Sequence, residues 1–323
     1  MHENRIRLMT TNNLTVGYRS NPLLNDLNLA LKSHELVCFM GPNGIGKSTL
    51  IRTLAGLHEP LRGSVSLDIQ PQQSIRTEQL VSVVLTDRIT ASNMTVEELI
   101  TFGRYPYTNW SIHLDQADQK MIDEAMELAR VAHLRKKRLF ELSDGQMQMT
   151  MIARALAQNT PLLLLDEPTA HLDLNNRVEI MNLLRKLTRI NGKSILIATH
   201  ELDLALQTAD VIWLAGRNKN ILTGIPEDLV LNGSFDDIFQ LKGFDLKTGK
   251  VWHEPWRGVS LKLIGGGHEY LWTKNALERT GFAIDNNATE AIIVEKESNI
   301  PAWKYKDRTF TSVEAMLNEM ERR

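Results

Sequence analysis

Short apolar runs alternate with segments of helical period along most of the chain. Four apolar runs are strand candidates: ELVCFM, VSVVL, PLLLLD and SILIAT. The last two are continuous, as is typical of strands buried on both faces. The segment RVEIMNLLRKLTRI, between the last two runs, is amphipathic and long enough for a crossover helix. Because continuous apolar strands joined by helices are typical of parallel sheets, the pattern predicts an α/β fold with a mainly parallel sheet.

Two regions depart from this alternation. Residues 94–140 have helical character without an obvious strand, and with the segment up to residue 160 they are predicted to form a helical subdomain. The pattern of predicted elements changes again near residue 240. We therefore predict a first domain over residues 1–240 and a small C-terminal α/β accessory domain over residues 241–323.

Several local signals support the accessory domain. GFDLKTGKVWHEPW is typical of a hairpin, VSLKLIGGG and AIIVE of strands, and EYLWTKNALERTG of a helix that ends at Gly281. Thr311 and Glu314 have capping-box spacing before a last helix. The glycines of IGGGHEY lack the third glycine of a dinucleotide loop, so a tight strand-to-helix turn is the preferred interpretation over phosphate binding.

Composition narrows the class of protein. The 323 residues are 42% hydrophobic and 24% charged, as in soluble globular proteins, and the formal net charge of −2 argues against a general nucleic-acid binder. Cys38 is the single cysteine, so no internal disulfide forms and a reducing compartment is expected. We find no secretory leader and no run of about 18 apolar residues, so the chain is expected to be cytosolic or to reach a membrane through a partner.

GPNGIGKST, residues 41–49, has the G-x-x-x-x-G-K-[ST] pattern of a phosphate loop. It follows a predicted strand and precedes a predicted helix, as the mechanism requires. Gly41, Gly44 and Gly46 let backbone N–H groups face phosphate oxygens. Lys47 is expected to reach the β- and γ-phosphates, and the Ser48 hydroxyl to ligate Mg²⁺.

Two further strands end in residues suited to hydrolysis. LLLLDEP ends in Asp166, a candidate Mg²⁺ ligand through water, and Glu167, a candidate for polarising the attacking water. SILIATH ends in His200, which could bind the γ-phosphate or that water. Each of these residues could instead be structural. Their shared position at the ends of strands favours a site.

These motifs, taken with LSDGQ at 142–146, resemble the ATP-binding-cassette family of ATPases. The likeness covers roughly residues 5–240 and keeps the order phosphate loop, helical segment, signature, acidic strand, HLD and histidine. It implies a P-loop NTPase fold with ATP and Mg²⁺ as ligands. The implied contacts of ATP in the loop are Gly41, Pro42, Asn43, Gly44, Ile45, Gly46, Lys47, Ser48 and Thr49.

The resemblance implies further contacts. Tyr18 matches the aromatic residue that stacks on adenine, although a structural tyrosine is the alternative. In the family, the signature of one subunit closes over the nucleotide of the other. The expected assembly is therefore a head-to-tail homodimer with two ATP molecules between the subunits. The residues that would act in trans are Ser143, Gly145, Gln146 and Asp173.

Two positions depart from the family pattern. Asp144 stands where glycine is usual. Its carboxylate would repel a phosphate, because two like unit charges ~4 Å apart repel by roughly 4 kcal/mol at an effective dielectric constant of 20. We therefore expect Asp144 to point away from phosphate. Thr86 stands where a Mg²⁺-binding glutamine is usual, which leaves metal contact at that position open.

The resemblance also implies partners. A cassette without a membrane segment needs a separate permease, and LSDGQ, TAHLDL and ITFGRYPYTNW look like the subgroup that imports iron–siderophores, haem or cobalamin. The chain is then expected on the cytoplasmic side of the inner membrane and in indirect contact with a substrate-binding protein. Tyr105, Tyr107 and Trp110 are candidates for a permease groove or for the core.

Two other functions and one basic run were also considered. A soluble cassette ATPase acting on nucleic acid or the ribosome is the main rival, but such proteins usually carry two cassettes or a coiled-coil insertion. A P-loop GTPase is disfavoured because RNKN, residues 217–220, lacks the required aspartate. RKKR, residues 135–138, is interpreted as a solvated helix end rather than a contact with anionic lipid.

Overall fold

The computed structural model describes residues 6–68, 76–86, 93–108, 113–241, 243–247, 249–251, 253–297 and 300–321. The chain divides into two compact units, Met1–Gln240 and Leu241–Arg323. Trp110, one of the candidate groove residues, lies outside the described residues.

The first unit contains two sheets. One sheet is antiparallel, with the order β2-β1-β3 and with β5 also paired to β1. The other has the order β10-β9-β4-β8-β7-β6, in which all neighbours are parallel except the edge pair β10–β9. The strands are β1 (Arg7–Tyr18), β2 (Asn21–Leu27), β3 (Ala30–Lys32), β4 (Leu36–Met40), β5 (Arg62–Leu67), β6 (Val81–Val84), β7 (Leu162–Asp166), β8 (Ser194–Ala198), β9 (Val211–Ala215) and β10 (Ile221–Gly224).

Helices connect and cover these strands. The α-helices are α1 (Lys47–Leu54), α2 (Val96–Thr101), α3 (Gln116–Leu128), α4 (Asp144–Ala157), α5 (Leu174–Arg189), α6 (Leu202–Thr208), α7 (Pro226–Leu231) and α8 (Ser234–Phe239). The 3₁₀ helices are Thr77–Gln79, Phe102–Tyr107, Ala132–Leu134 and Leu139–Glu141. None of the helices in the described ranges combines the length and the hydropathy that a bilayer span requires.

The predicted α/β class with a mainly parallel sheet is confirmed, and the four apolar runs form β4, β6, β7 and β8. The antiparallel sheet escaped prediction because its central strand β1 mixes threonines and asparagines with buried apolar residues. One apolar core joins both sheets to α1 through residues such as Val16, Phe39 and Ile51. This core fixes the helix that follows the phosphate loop between the two sheets.

Among the described residues between 96 and 157, every element is an α-helix or a 3₁₀ helix, and turns join these helices. A buried ion pair joins the 3₁₀ helix Phe102–Tyr107 to α3, since Arg104 Nε donates to Asp118 Oδ1 at 2.8 Å. Arg104 Nη1 also donates to the Ala157 carbonyl at the end of α4, at 2.8 Å. Both charges are nearly buried, so each needs the other. The pair fastens three elements together.

The interpretation of residues 135–138 as a solvated helix end holds for Lys136 and Lys137, which are exposed, but not for the two arginines. The run follows the short 3₁₀ helix Ala132–Leu134 and not an α-helix. Arg135 pairs with Glu97 at 2.7 Å and with Asp123, and Arg138 donates to the Asn93 carbonyl at 2.6 Å. These arginines are therefore partners of nearby acids and carbonyls rather than free surface charges.

The second unit is a five-stranded sheet with the order β14-β13-β15-β16-β17 and a separate two-stranded hairpin. An apolar cluster that includes Leu263, Leu277 and Met316 joins the sheet to both helices of this unit. The elements are β11 (Phe244–Asp245), β12 (Lys250–Val251), β13 (Ser260–Ile264), α9 (Gly267–Arg279), β14 (Ala283–Ile284), β15 (Ala291–Glu297), β16 (Ile300–Tyr305), β17 (Arg308–Phe310) and α10 (Val313–Glu321).

Two local predictions in this unit have different outcomes. The glycines of IGGGHEY join β13 directly to α9, and Gly265 has no room for a side chain because a Cβ would lie 2.7 Å from the Val294 carbonyl oxygen. They form the predicted tight turn. The capping box at Thr311 and Glu314 is wrong, because the Ser312 hydroxyl accepts a hydrogen bond from the Ala315 N–H and caps α10 instead.

Gly103 packs so closely against α4 that we expect a side chain at this position to destabilise the fold. A Cβ on Gly103 would lie 2.2 Å from the Arg154 carbonyl oxygen, which is backbone and cannot rotate away. Gly103→Ala is expected to lower the free energy of unfolding by about 1–3 kcal/mol, measured by urea denaturation. Gly224→Ala is the control, because its Cβ would meet only the Leu229 side chain. Equal stability of the two variants would contradict this packing.

Candidate functional site

The site forms where three neighbouring parallel strands end. β8 pairs with β4 and with β7 in register, so that Ala198 lies beside Phe39 on one side and beside Asp166 on the other. The chain leaves β4 into the phosphate loop, β7 into Glu167 and β8 into Thr199 and His200. Parallel strands in register deliver the residues that follow them to one edge of the sheet.

The phosphate loop joins β4 to α1 with an unusual backbone. Gly44 and Gly46 have φ values of 77° and 110°, in the region that favours glycine. α1 begins at Lys47 without a side-chain cap and without an acidic residue in its first turn. The first N–H groups of α1 are therefore left for an anion, to which the positive end of the helix dipole also contributes.

Lys47 and His200 both contact the Glu167 carboxylate. Lys47 Nζ lies 3.8 Å from Glu167 Oε1 and donates to the Gly41 carbonyl at 3.1 Å. His200 Nδ1 lies 2.5 Å from Glu167 Oε2. Because an ionised carboxylate only accepts, Nδ1 is the donor in this pair. The lysine and the histidine thus hold the carboxylate from two sides.

The backbone of Glu167 is also specialised. Its φ of 49° is left-handed, and its N–H donates to the Ala198 carbonyl at 2.8 Å. A non-glycine residue holds this conformation only where its surroundings enforce it. The turn directs Glu167 toward Lys47 immediately after the strand ends.

Asp166 is a buried acid next to Ser48 and Glu167. Its side chain is 1% exposed, and neither carboxylate oxygen accepts a well-formed hydrogen bond from the described residues. Burial raises the pKa of Asp166, and the neighbouring Ser48 hydroxyl opposes this shift, as Arg52 and Lys47 do less strongly. A divalent cation would satisfy both of these buried oxygens.

Tyr18 stands at the exposed end of β1 with half of its surface (53%) open to solvent. Its ring centroid lies 4.8 Å from that of His58, and its hydroxyl is 3.5 Å from Thr49 Oγ1. Thr49 belongs to the phosphate loop and α1. The structure therefore places Tyr18 beside the loop while leaving much of its ring accessible.

The signature residues lie at the beginning of α4. The Ser143 hydroxyl accepts from the Gln146 N–H and the Gln146 side chain accepts from the Ser143 N–H, which is a capping box. A Cβ on Gly145 would lie 2.7 Å from the Asn176 side chain. Asp173 caps α5 by accepting from the Asn176 N–H at 2.8 Å. The signature and the aspartate loop are thus packed together.

Asp144 and Thr86 line one cavity of about 270 Å³ with Glu167 and His171. Asp144 is exposed in the first turn of α4, where a negative charge is favourable, while Ser143 makes the capping hydrogen bond. Thr86 is also exposed. Neither residue contacts the phosphate loop among the interactions of the described residues.

A second, larger groove of about 960 Å³ lies in the helical region. Phe102, Tyr105, Glu97 and Glu98 contribute to its walls. Tyr107 instead receives the Arg104 guanidinium 4.0 Å from its ring centroid and donates its hydroxyl to the Gln158 carbonyl. The two tyrosines therefore differ, since Tyr105 faces the groove and Tyr107 packs on the end of α4.

Lys47, Ser48, Asp166, Glu167 and His200 are brought together at the edge of the sheet, whereas Ser143, Gly145, Gln146 and Asp173 form a second group at the starts of α4 and α5. Sequence reasoning missed His58, whose ring packs beside Tyr18, and Asn176, whose side chain packs closely against Gly145. His58 carries no motif. Asn176 lies three residues after Asp173, which is the spacing between a helix cap and the N–H group that it accepts from. This spacing was the available signal for the position of Asn176.

Comparison with known proteins gives matches over both units. The family model for the ABC transporter matches residues 24–170, and the model for the iron ABC transporter C-terminal domain matches residues 258–321. The second match falls within the Leu241–Arg323 unit.

Three relatives are similar over most of their length. An uncharacterized ABC transporter ATP-binding protein of Methanocaldococcus jannaschii is 37% identical, covering 80% of this chain and 92% of that protein. The petrobactin import ATP-binding protein FpuD of Bacillus anthracis is 34% identical, covering 73% and 88%. The ferric enterobactin transport ATP-binding protein FepC of Escherichia coli is 32% identical, covering 71% and 86%.

Two solved structures share the fold. The protein cbiO1 of Clostridium perfringens, part of the ABC transporter complex cbiONQ, superposes with a TM-score of 0.61 at 26% identity, covering 72% of this chain and 95% of that one. A bacterial ABC transporter cassette solved as a dimer superposes with a TM-score of 0.58 at 25% identity, covering 68% and 99%.

The buried charge of Asp166 makes a second prediction. The folded-state pKa of Asp166 is raised above its ordinary value, so at neutral pH the titration of this carboxyl opposes folding in the absence of ligand. Asp166→Asn is expected to raise the melting temperature of the ligand-free protein at pH 7, measured by calorimetry. The gain should shrink as the pH falls through the raised pKa toward the ordinary value of 3.8. A lower melting temperature of the variant at pH 7 would show that the charge is compensated.

Proposed function

Since the chain belongs to the ATP-binding-cassette family of transporter ATPases, which bind and hydrolyse ATP, we propose that it powers import of an iron–siderophore, haem or cobalamin-type substrate. The relatives named for petrobactin import and ferric enterobactin transport support this substrate class. The match of residues 258–321 to the iron transporter C-terminal domain supports it independently. The observation that carries the ATPase assignment is the contact of Lys47 and His200 with Glu167 at the phosphate loop.

Phosphate binding rests on the loop and α1. The N–H groups around Gly44 and Gly46 and the uncapped start of α1 face the β- and γ-phosphates in this proposal. Lys47 adds a positive charge that is almost buried, so it is weakly screened. The other loop residues assigned to ATP are Gly41, Pro42, Asn43, Ile45, Ser48 and Thr49.

The metal assignment rests on Asp166 and Ser48. The two buried oxygens of Asp166 without hydrogen-bond partners, next to a hydroxyl, fit a Mg²⁺ ion bound directly or through water. Bound Mg²⁺ would neutralise charge on the phosphate oxygens. Thr86 is too short to replace a glutamine without a bridging water, and its position in the cavity beside Glu167 leaves space for one.

Glu167 is the group that we assign to water activation. At 3.8 Å its attraction to Lys47 is about 4 kcal/mol at an effective dielectric constant of 20. The negative phosphates of ATP compete for this lysine, which leaves the carboxylate able to accept a proton from water. His200 keeps the other oxygen oriented. Its remaining nitrogen accepts from the water when the ring is neutral, and it donates to the γ-phosphate only when the ring is doubly protonated.

Tyr18 and residues of a second subunit complete the proposed nucleotide site. Tyr18 offers an exposed ring beside the phosphate loop for stacking on adenine. Ser143, Gly145, Gln146 and Asp173 lie in the separate group at the starts of α4 and α5, which is suited to a nucleotide held by another copy. Cassettes of this family dimerise, as the dimeric bacterial cassette illustrates. We propose a head-to-tail homodimer that encloses two ATP molecules.

The groove beside α2 is the proposed contact with the permease. It exposes Phe102, Tyr105 and Met94 next to two glutamates, which suits an amphipathic helix with apolar anchors. Import ATPases of this family work with membrane permeases, so the chain would lie peripherally on the cytoplasmic face and contact a substrate-binding protein only indirectly. The relatives are transport proteins, and no observation favours an ATPase that acts on nucleic acid or the ribosome.

The role of Glu167 makes a third prediction. Glu167→Gln keeps the shape and removes the base, so the variant should bind ATP, hydrolyse it at least about 10²-fold more slowly and accumulate as an ATP-bound dimer in light scattering. Lys47→Ala, the matched control, should lose ATP affinity instead. Normal turnover by the glutamine variant would contradict the assignment.

Asp144 makes a fourth prediction. Because it is exposed and Ser143 provides the cap, Asp144→Gly should leave ATPase activity unchanged and lower the free energy of unfolding by about 0.5–1.5 kcal/mol through lost helix propensity and dipole interaction. ATP turnover and urea denaturation measure the two effects. Loss of turnover with unchanged stability would instead place Asp144 in the catalytic site.

A further inference from the structure

His58 is a partly buried residue that packs against the candidate adenine platform. Its ring centroid lies 4.8 Å from that of Tyr18, with the two planes inclined at 47°. Aromatic pairs at this separation are attractive beyond the area that they bury. The Tyr18 side chain is about half exposed, and His58 covers part of it. An exposed side chain loses rotamer freedom when it stacks on a base, so a neighbour that already restricts the ring reduces this loss.

The same imidazole also holds the backbone that carries Tyr18. His58 Nε2 lies 2.8 Å from the carbonyl oxygen of Gly17. A carbonyl only accepts, so Nε2 carries the proton and donates. Gly17 packs closely against β2, since a Cβ there would lie 2.3 Å from the Asn21 carbonyl oxygen.

α1 determines where His58 stands. α1 starts at the phosphate loop, and its end is closed by hydrogen bonds from the Gly56 and Leu57 N–H groups to Thr53 and Arg52. His58 follows directly. An eight-residue helix is about 12 Å long and rigid on this scale. The histidine therefore ties the position of Tyr18 to the helix that begins at the phosphate loop.

We infer that His58 is a positioning residue for the nucleobase, which holds the Tyr18 ring and the Gly17 backbone in place so that the base binds to a platform already at the correct distance from the phosphate loop. This inference rests on the proposed stacking of adenine on Tyr18. A preorganised platform raises affinity because less ordering accompanies binding. His58 does not touch the phosphates in this account, so it affects only the part of the affinity that depends on the base.

The experiment compares ATP with inorganic tripolyphosphate, which occupies the phosphate loop without a base. Binding of each is measured by calorimetry for the full chain and for His58→Ala. We expect His58→Ala to weaken ATP binding about 3–10-fold and to leave tripolyphosphate binding unchanged. The KM for ATP should rise while kcat stays constant, because the base makes the same contacts in the ground state and in the transition state.

Two conservative variants separate the two contacts of the imidazole. His58→Phe keeps an aromatic ring against Tyr18 without the donor to Gly17, and His58→Gln keeps a donor without the ring. Both should bind ATP with intermediate affinity, and they keep the test informative if the alanine variant does not fold.

Tyr18→Ala distinguishes a failure of this inference from a failure of the adenine assignment. If Tyr18→Ala weakens ATP binding and all three His58 variants bind ATP like the unmodified protein, the role of His58 is wrong and the platform stands. An equal loss of tripolyphosphate affinity in the His58 variants would also overturn it, because His58 would then support the phosphate loop. If Tyr18→Ala binds ATP normally, both the platform and the role of His58 are wrong.

Discussion

The in-register parallel pairing of β4, β8 and β7 is the constraint on which the site depends. The phosphate loop, Glu167 and His200 belong to three distant segments, and each of them follows a strand whose end is fixed by its neighbours. A shift of one residue in either ladder would move a side chain by about 3.3 Å, which exceeds the tolerance of a hydrogen bond. The buried apolar runs that form these strands are thus as necessary for catalysis as the polar residues at their ends.

The polar end of this arrangement is poorly satisfied without nucleotide. Asp166 is buried with both oxygens lacking hydrogen-bond partners among the described residues, and Glu167 adopts a left-handed backbone. Among the described residues, Lys47 Nζ donates to the Gly41 carbonyl and lies 3.8 Å from the Glu167 carboxylate. Such features oppose folding and favour a ligand that supplies both a cation and an anion. ATP with Mg²⁺ has this composition, and for that reason we connect the unsatisfied groups to nucleotide binding.

The sequence predicted those parts of the structure that are encoded by short, contiguous signals. The apolar runs predicted the parallel strands, and the phosphate loop predicted a strand-to-helix turn that requires glycine at Gly44 and Gly46. The antiparallel sheet was missed because β1 is half polar. The cap of α10 was assigned to Thr311 instead of Ser312 because two adjacent hydroxyl residues could each fill that position. The ion pair of Arg135 with Glu97 was missed because the two residues are distant in the sequence and meet only in the folded chain. His58 could not be found, since its role arises only when α1 brings it against Tyr18.

In the proposed dimer, a complete catalytic site needs the phosphate loop of one chain and the signature of another. Phosphate release by the purified protein, measured with Mg²⁺ and ATP over a dilution series, tests it most directly. We expect activity per chain to fall on dilution as the dimer dissociates, and chelation of Mg²⁺ to abolish it. Constant activity per chain down to concentrations at which light scattering shows only monomer would contradict the claim.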